Sequence, residues 1–249
     1  MSEHKNILTE GNVGKALLII ALPIIISNML QSVLEIVDMY FIGQLGDTSI
    51  AGGTLSVSVI MVLTTVLMGI VTATAAFVSR AYGSEKYERI QVVLAHAIYL
   101  GLIFSFILAI VGFFWSEEIL FFMSQGDAVI AAEGANFLRP ALIGSFIMML
   151  LMTLTTVFQS TGDSRTPMFV MVGVNIVNII MNPTLIQGLW IFPALGLAGS
   201  AYASLSSRLV GVILLILCMY YLPKHKNGPI KFPKKFIFEP RLIRDIFVI

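Results

Sequence analysis

The stretch EIVDMYFIGQLG, residues 35–46, ends an apolar run that begins near Ala16 and decides how the chain folds. Two carboxylates, Glu35 and Asp38, lie three residues apart, inside or at the edge of a segment that otherwise has the composition of a membrane span. Charged side chains are costly inside a bilayer and usually face a cavity or a partner group. The stretch therefore predicts a membrane-spanning chain with a polar interior.

The composition is that of a helical membrane protein. Of 249 residues, 57% are hydrophobic and 12% are charged, whereas about 25% of the residues of soluble domains are charged. Several apolar runs exceed the roughly 20 residues that a helix needs to cross ~30 Å of hydrocarbon. We predict an all-α polytopic membrane fold with six spans. The predicted spans are 16–40, 51–79, 91–115, 136–158, 167–187 and 197–222.

The distribution of charge predicts the orientation. Basic residues fall on one side of the spans, at Lys5, Lys15, Arg80, Lys86, Arg89, Arg165 and from Lys224 to Arg244. The opposite connections contain Asp47, Glu117, Glu118 and Asp127. By the positive-inside rule, both termini are cytoplasmic. We expect a cytoplasmic tail at 1–15, a membrane lobe at 16–222 and a basic segment at 223–249, which either lies on lipid headgroups or begins a seventh helix near Leu242.

The first span carries a polar face. Asn28, Gln31, Glu35 and Asp38 follow spacings of three and four residues, so they lie on one side of a helix. A polar face in a membrane helix must contact protein or water, since lipid cannot satisfy it. The alternative is that the two acids end the helix in headgroup water, without a role inside the protein.

The fifth span, which contains NIVNIIMNPTLI, has a matching face. Asn175, Asn178 and Asn182 are spaced by three and four residues, and Pro183 removes a backbone hydrogen bond and frees carbonyls near Ile179. Free carbonyls beside amide oxygens can form a cation site, as in discontinuous transporter helices. The alternative is a proline kink whose asparagines only link helices.

A single arginine, Arg208, falls near the middle of the sixth span. Such a cation normally faces a cavity or a counter-charge, and Glu35 or Asp38 can provide one. The sequence shows no catalytic motif. His4, His96 and His225 lack the spacing of metal ligands, and no phosphate-binding loop is present. We therefore expect no enzyme, no cofactor and no nucleic-acid partner; membrane lipid explains the basic tail.

Four motifs together resemble one family, the multidrug and toxic compound extrusion (MATE) exporters. They are VDMYFIGQLG after Pro23 in the first span, VSRAYGSEKYE after the second, FQSTGDSRTPM between the fourth and fifth, and GLAGSAYASLSSRLVG in the sixth. They match the N-terminal lobe. The resemblance implies a fold of two six-helix lobes facing each other across a cleft.

The resemblance also implies a function in a prokaryotic plasma membrane. MATE exporters are secondary antiporters that couple inward Na⁺ or H⁺ movement to export of cationic, amphiphilic compounds. The family's ion site in this lobe carries over to Asp38 in the first helix, Asn178 in the fifth and Ser204 in the sixth. Ion uptake is then expected to shift the balance between a straight and a bent form of the first helix, with the hinge at Pro23.

Two departures from the family's pattern affect this expectation. Many prokaryotic relatives have Asp-Pro in the fifth helix, where this chain has Asn182 and Pro183, so Glu35 is a candidate for a second acid. Further candidates for the substrate cavity or a hinge are Gln31, Asn175, Pro183 and Arg208. The chain also stops where the second lobe is expected to begin, so that a second six-helix lobe or a second copy would complete the cleft.

Two other functions compete with antiport. One is a flippase for lipid-linked oligosaccharides from the same superfamily, for which a more cationic cavity is expected. The other is a single-lobe membrane protein without transport activity.

Overall fold

The computed structural model describes residues 13–221, with side chains from Leu18 onward. Their secondary structure consists of seven helices. The helices are α1 (Val13–Gly43), α2 (Asp47–Gly83), α3 (Tyr87–Met123), α4 (Ala128–Ile143), α5 (Ser145–Ser160), α6 (Arg165–Ile186) and α7 (Leu197–Tyr221). The predicted segment 223–249 and most of the predicted tail 1–15 lie outside the described residues.

The helices provide up to six membrane spans. Among the described residues, α1, α2, α3, α6 and α7 are each long and apolar enough to cross a membrane, and α4 with α5 forms a sixth span bent by 50°. The all-α prediction with six spans is confirmed. The helices extend beyond the predicted limits because their polar ends, such as Asp47 at the start of α2, continue the helix past the apolar run.

The bend in the fourth span was not predicted; the sequence indicated one helix at 136–158. Pro140 lies inside α4 and lacks the N–H of a regular helical turn. Gly144 follows at the break, where a Cβ atom would lie 2.4 Å from Leu205 of α7. The break therefore occurs where a proline weakens the helix and a glycine permits a close approach to α7.

The first halves of α2 and α4 are in backbone contact. A Cβ atom added to Gly52 would lie 2.7 Å from the backbone nitrogen of Gly134. The Ser56 hydroxyl donates to the carbonyls of both Gly52 (2.8 Å) and Gly134 (2.9 Å). Small residues at such crossings let membrane helices approach closely, so this contact joins the first half of the lobe to the bent span.

The apolar core lies among α2, α3, α5, α6 and α7, and α1 packs at its edge. Leu34 is the α1 residue buried in the main core cluster. One side of α1 is exposed, including Leu22, Met29 and Ile36. Its opposite side packs on α6 and α7, which brings the predicted polar faces of the first and fifth spans together.

Candidate functional site

Asp38 of α1 is enclosed by polar side chains from α6 and α7. Only 8% of Asp38 is exposed. Its Oδ1 accepts hydrogen bonds from Asn178 Nδ2 at 3.0 Å and from Asn182 Nδ2 at 2.8 Å, and its Oδ2 accepts one from the Ser204 hydroxyl. Three donors on two oxygens suit an ionised carboxylate, which only accepts hydrogen bonds.

The partners of Asp38 also bond to one another. Asn178 Nδ2 lies 3.3 Å from Ser204 Oγ, and Asn182 Nδ2 lies 3.0 Å from Asn178 Oδ1 and 3.2 Å from the Asn178 carbonyl oxygen. Both asparagines are fully buried. We call Asp38, Asn178, Asn182 and Ser204 the Asp38 cluster. In such a network, moving one group changes the hydrogen bonding of all the others.

One oxygen of the cluster is unsatisfied. Asn182 Oδ1 is buried and has no hydrogen-bond partner, which normally costs about 1–3 kcal/mol. Rotating the Asn182 amide by half a turn would place this oxygen against Asp38 and move the donor away. The cluster can thus present either donors to an ionised carboxylate or an oxygen to a proton or cation bound at Asp38.

Pro183 follows Asn182 directly. The helix α6 continues past it to Ile186, so the proline does not interrupt the span. Its ring nitrogen cannot donate to the Ile179 carbonyl, while the Thr184 hydroxyl donates to the Ile180 carbonyl at 2.7 Å.

Asn175 lies apart from the cluster, at the contact between α6 and α1. Its Nδ2 donates to the Leu30 carbonyl of α1 at 3.0 Å and to the Met171 carbonyl at 2.9 Å. Its Oδ1 is buried without a partner. Asn175 therefore joins α6 to α1 at Leu30, about two helical turns before Asp38.

The three other polar residues of the predicted α1 face lie outside the cluster. Glu35 is exposed, and Gln31 Nε2 donates to its Oε1 at 3.4 Å. Asn28 is exposed as well. Among its described contacts, Glu35 is bonded to Gln31 and not to Asp38, so the predicted polar face of the first span divides into a buried and an exposed part.

Arg208 of α7 is half-buried. Within residues 13–221 it forms no ion pair. Pro23, the predicted hinge, is buried inside α1, where the Ser27 hydroxyl donates to its carbonyl at 2.8 Å.

A bond that the sequence did not predict joins the C-terminal ends of α1 and α6. Gln187 Nε2 donates to Gln44 Oε1 at 2.9 Å, a few residues beyond Asn182 and Asp38. Both glutamines follow the ends of their helices, where apolar periodicity stops, so no spacing pattern pointed to them.

The described residues contain no group of three His, Cys, Asp or Glu side chains able to hold a metal ion. The Asp38 cluster instead combines one carboxylate with amide and hydroxyl oxygens. Hard cations prefer oxygen ligands of this kind.

The profile of the family described as MatE matches residues 23–184, which contain most of the cluster. The chain belongs to the MatE family. The resemblance in the sequence motifs is thereby confirmed, and the chain is an integral membrane protein that corresponds to the N-terminal lobe of a MATE transporter.

Relatives and solved structures agree with this assignment. The chain is 31% identical over 227 residues to the probable multidrug resistance protein YoeA of Bacillus subtilis, covering 91% of this chain and 48% of that protein. It is 28% identical to the FAD transporter of Shewanella oneidensis, covering 83% of this chain and 46% of that protein. The chain thus spans about half the length of the curated relatives it matches.

The fold is that of solved MATE structures. A multidrug resistance MATE family transporter of the MOP superfamily, in an outward-facing conformation, superposes with a TM-score of 0.81 at 22% identity. The superposition covers 99% of this chain and 53% of that one.

Proposed function

We propose that this MatE chain is the N-terminal lobe of a secondary active multidrug antiporter, which exchanges Na⁺ or H⁺ for cationic, amphiphilic compounds. The observation that carries this proposal is the buried Asp38 carboxylate, held by side chains from two other helices. The name of YoeA, a probable multidrug resistance protein, supports drugs as the substrates. Another relative is named as a transporter, which supports transport rather than enzymatic turnover as the activity.

The mechanism uses two hydrogen-bonding states of the Asp38 cluster. In the unloaded state, the ionised carboxylate accepts bonds from Asn178, Asn182 and Ser204. When a proton or Na⁺ binds, the carboxylate no longer needs three donors, and the Asn182 amide turns its unpartnered oxygen toward the new charge. Ion binding thus changes the bonds between α1 and α6.

This change can alter the shape of α1 because the helix has a weak point at Pro23, which lacks an N–H donor. Asp38 and Pro23 lie on the same helix, on either side of the Asn175 bond to Leu30. A ligand shifts a two-state equilibrium only by its differential affinity for the states. The Asp38 cluster provides this difference in affinity, because its ion-bound and ion-free forms favour different distances between α1 and α6.

The proposed setting is a prokaryotic plasma membrane with both termini in the cytoplasm, supported by the basic residues on one side of the spans. Glu35, exposed on α1, is the proposed contact for cationic substrates, and Gln31 orients it through their hydrogen bond. A second six-helix lobe or a second copy of this chain would form the other wall of the cleft.

A second candidate is export of an anionic compound, including the flippase activity on lipid-linked oligosaccharides. Arg208 favours it, because this half-buried cation forms no ion pair among the described residues. The relative named FAD transporter has an anionic cargo. If this candidate is right, Arg208→Gln abolishes uptake of FAD while Asp38→Asn leaves it intact.

The test is gradient-driven transport of tetraphenylphosphonium in proteoliposomes that contain the 249-residue chain. We expect an imposed Na⁺ or H⁺ gradient to drive movement of the cation, and Asp38→Asn to abolish the gradient dependence. Asp47→Asn, an exposed acid at the start of α2, is the matched control. Gradient-dependent transport that persists in Asp38→Asn would refute the assignment of Asp38.

Binding provides a readout that does not require a complete cleft. In weakly buffered detergent solution, tetraphenylphosphonium should release protons from the wild-type chain, or displace bound ²²Na⁺, and should do neither with Asp38→Asn. A chain that binds no ion and no tetraphenylphosphonium contradicts the proposal even if it folds normally.

A further inference from the structure

A groove runs between the beginnings of α1 and α6. Its volume is about 450 Å³. On the α1 side it is lined by Leu18, Leu22 and Pro23, and on the α6 side by Phe169 and Arg165. Apart from Arg165, the lining side chains are apolar, so the groove combines an apolar channel with one positive charge.

The apolar walls are open to the surroundings. Leu22 is 56% exposed and Phe169 is 67% exposed, and both belong to spans that cross the membrane. Such side chains in a bilayer are covered by protein or by acyl chains. The length of the groove fits one acyl chain: residues 18–26 of a helix extend about 12 Å, most of the ~15 Å of hydrocarbon in one leaflet.

The charge lies at one end of this channel. Arg165 is the first residue of α6, and its exposed side chain forms no hydrogen bond or ion pair with residues 13–221. The nearby acid, Asp163, is buried and accepts hydrogen bonds from the backbone N–H (3.3 Å) and hydroxyl (2.7 Å) of Thr166. The guanidinium is thus available to an anion, and the peptide N–H groups at the start of α6 favour the same charge.

We propose that this groove binds an anionic phospholipid of the cytoplasmic leaflet, with an acyl chain along Leu22 and Phe169 and the phosphate on Arg165. Basic pockets between membrane helices on the cytoplasmic side are suited to such headgroups, and a guanidinium can bind phosphate through two parallel hydrogen bonds. The acyl chain also contacts Pro23, where α1 lacks a hydrogen-bond donor. The inference rests on the proposed orientation of the lobe and is independent of its transport activity.

The test measures binding of brominated lipids, which quench tryptophan fluorescence on contact. The reporter is Phe169→Trp in a chain whose two native tryptophans are replaced by Trp115→Phe and Trp190→Phe. The chain is reconstituted in vesicles of phosphatidylcholine that contain a varied fraction of brominated phosphatidylglycerol or brominated phosphatidylcholine. We expect the anionic lipid to bind about fivefold more tightly, since one basic residue at the surface contributes about 1 kcal/mol.

Arginine variants identify the origin of the preference. Arg165→Gln should reduce the fivefold preference to about one, whereas Arg165→Lys should keep most of it. Arg139→Gln, which removes an exposed arginine from α4, should leave the preference unchanged. Folding of each variant is checked by its thermal unfolding curve.

Three outcomes overturn the proposal. If both lipids quench the reporter chain equally while Arg165 is present, the Arg165 side chain only reaches headgroup water. Absence of quenching by either lipid means that protein covers the groove, whether residues before Val13, a second lobe or a second copy. A preference that survives Arg165→Gln places the anion elsewhere. None of these outcomes bears on Asp38, so this test and the transport test fail separately.

Discussion

The substitution Asn182→Asp tests the geometry of the Asp38 cluster most directly, because it adds a second carboxylate where the structure has an amide. Asn182 Nδ2 lies 2.8 Å from Asp38 Oδ1. Two unit charges at that distance repel by about 6 kcal/mol at an effective dielectric constant of about 20. The variant should therefore need a proton or Na⁺ between the two carboxylates in order to fold as the wild type does.

Thermal unfolding of the purified chain measures this requirement. If about 2 kcal/mol of the repulsion remains as destabilisation at pH 8 in choline chloride, the Tm falls by about 4–8 °C. The Tm should recover at pH 6, or at pH 8 when NaCl replaces choline chloride. Asn182→Leu is the control, since it loses the same donors without adding charge.

The reasoning is refuted if Asn182→Asp and Asn182→Leu respond equally to pH and to Na⁺. Such a result would mean that residue 182 does not contact Asp38 and that the α1–α6 contact differs from the one described. A loss of Tm that neither protons nor Na⁺ restore would refute the proposed ion site while leaving the contact in place.

Two further predictions concern packing and the exposed acid. Gly134→Ala should lower the Tm by several degrees, since its Cβ would lie 2.8 Å from the Gly52 carbonyl oxygen and overpacking typically costs about 1–3 kcal/mol. Gly69→Ala is the control and should not lower the Tm, because its Cβ meets nothing within 4 Å. Equal thermal unfolding curves for the two variants would contradict the close crossing of α2 and α4. Glu35→Gln should weaken tetraphenylphosphonium binding, while the binding of Na⁺ or H⁺ at Asp38 stays at the wild-type level. If Glu35→Gln instead loses as much ion binding as Asp38→Asn does, Glu35 is the second acid of the ion site.

The fold was largely predictable because membrane spans are determined by local composition. Twenty apolar residues in a row leave few alternatives to a helix, and six such runs were found. The bend at Gly144 was missed because it depends on contacts between distant residues. A glycine after a proline is compatible with a straight span, and only the position of Leu205 makes the small residue necessary.

The site was predictable to the extent that helical periodicity describes it. Spacings of three and four residues brought Asp38, Asn178 and Asn182 to matching faces, and the structure joins these faces. Periodicity could not indicate that Asn175 bonds to a backbone carbonyl rather than to the acid, nor that Glu35 lies on the exposed side. A helix face is about 100° wide, so residues on one face can still differ in burial.

The presence of one carboxylate in the Asp38 cluster has a consequence for the energy source. In the proposed exchange, one proton or Na⁺ enters for each monovalent organic cation that leaves, and no net charge crosses the membrane. The membrane voltage, worth about 2.3 kcal/mol per charge for each 100 mV, then performs no work on the cycle. Extrusion would stop at about a tenfold concentration ratio for each pH unit across the membrane, and an ionophore that collapses only the voltage would leave that limit unchanged.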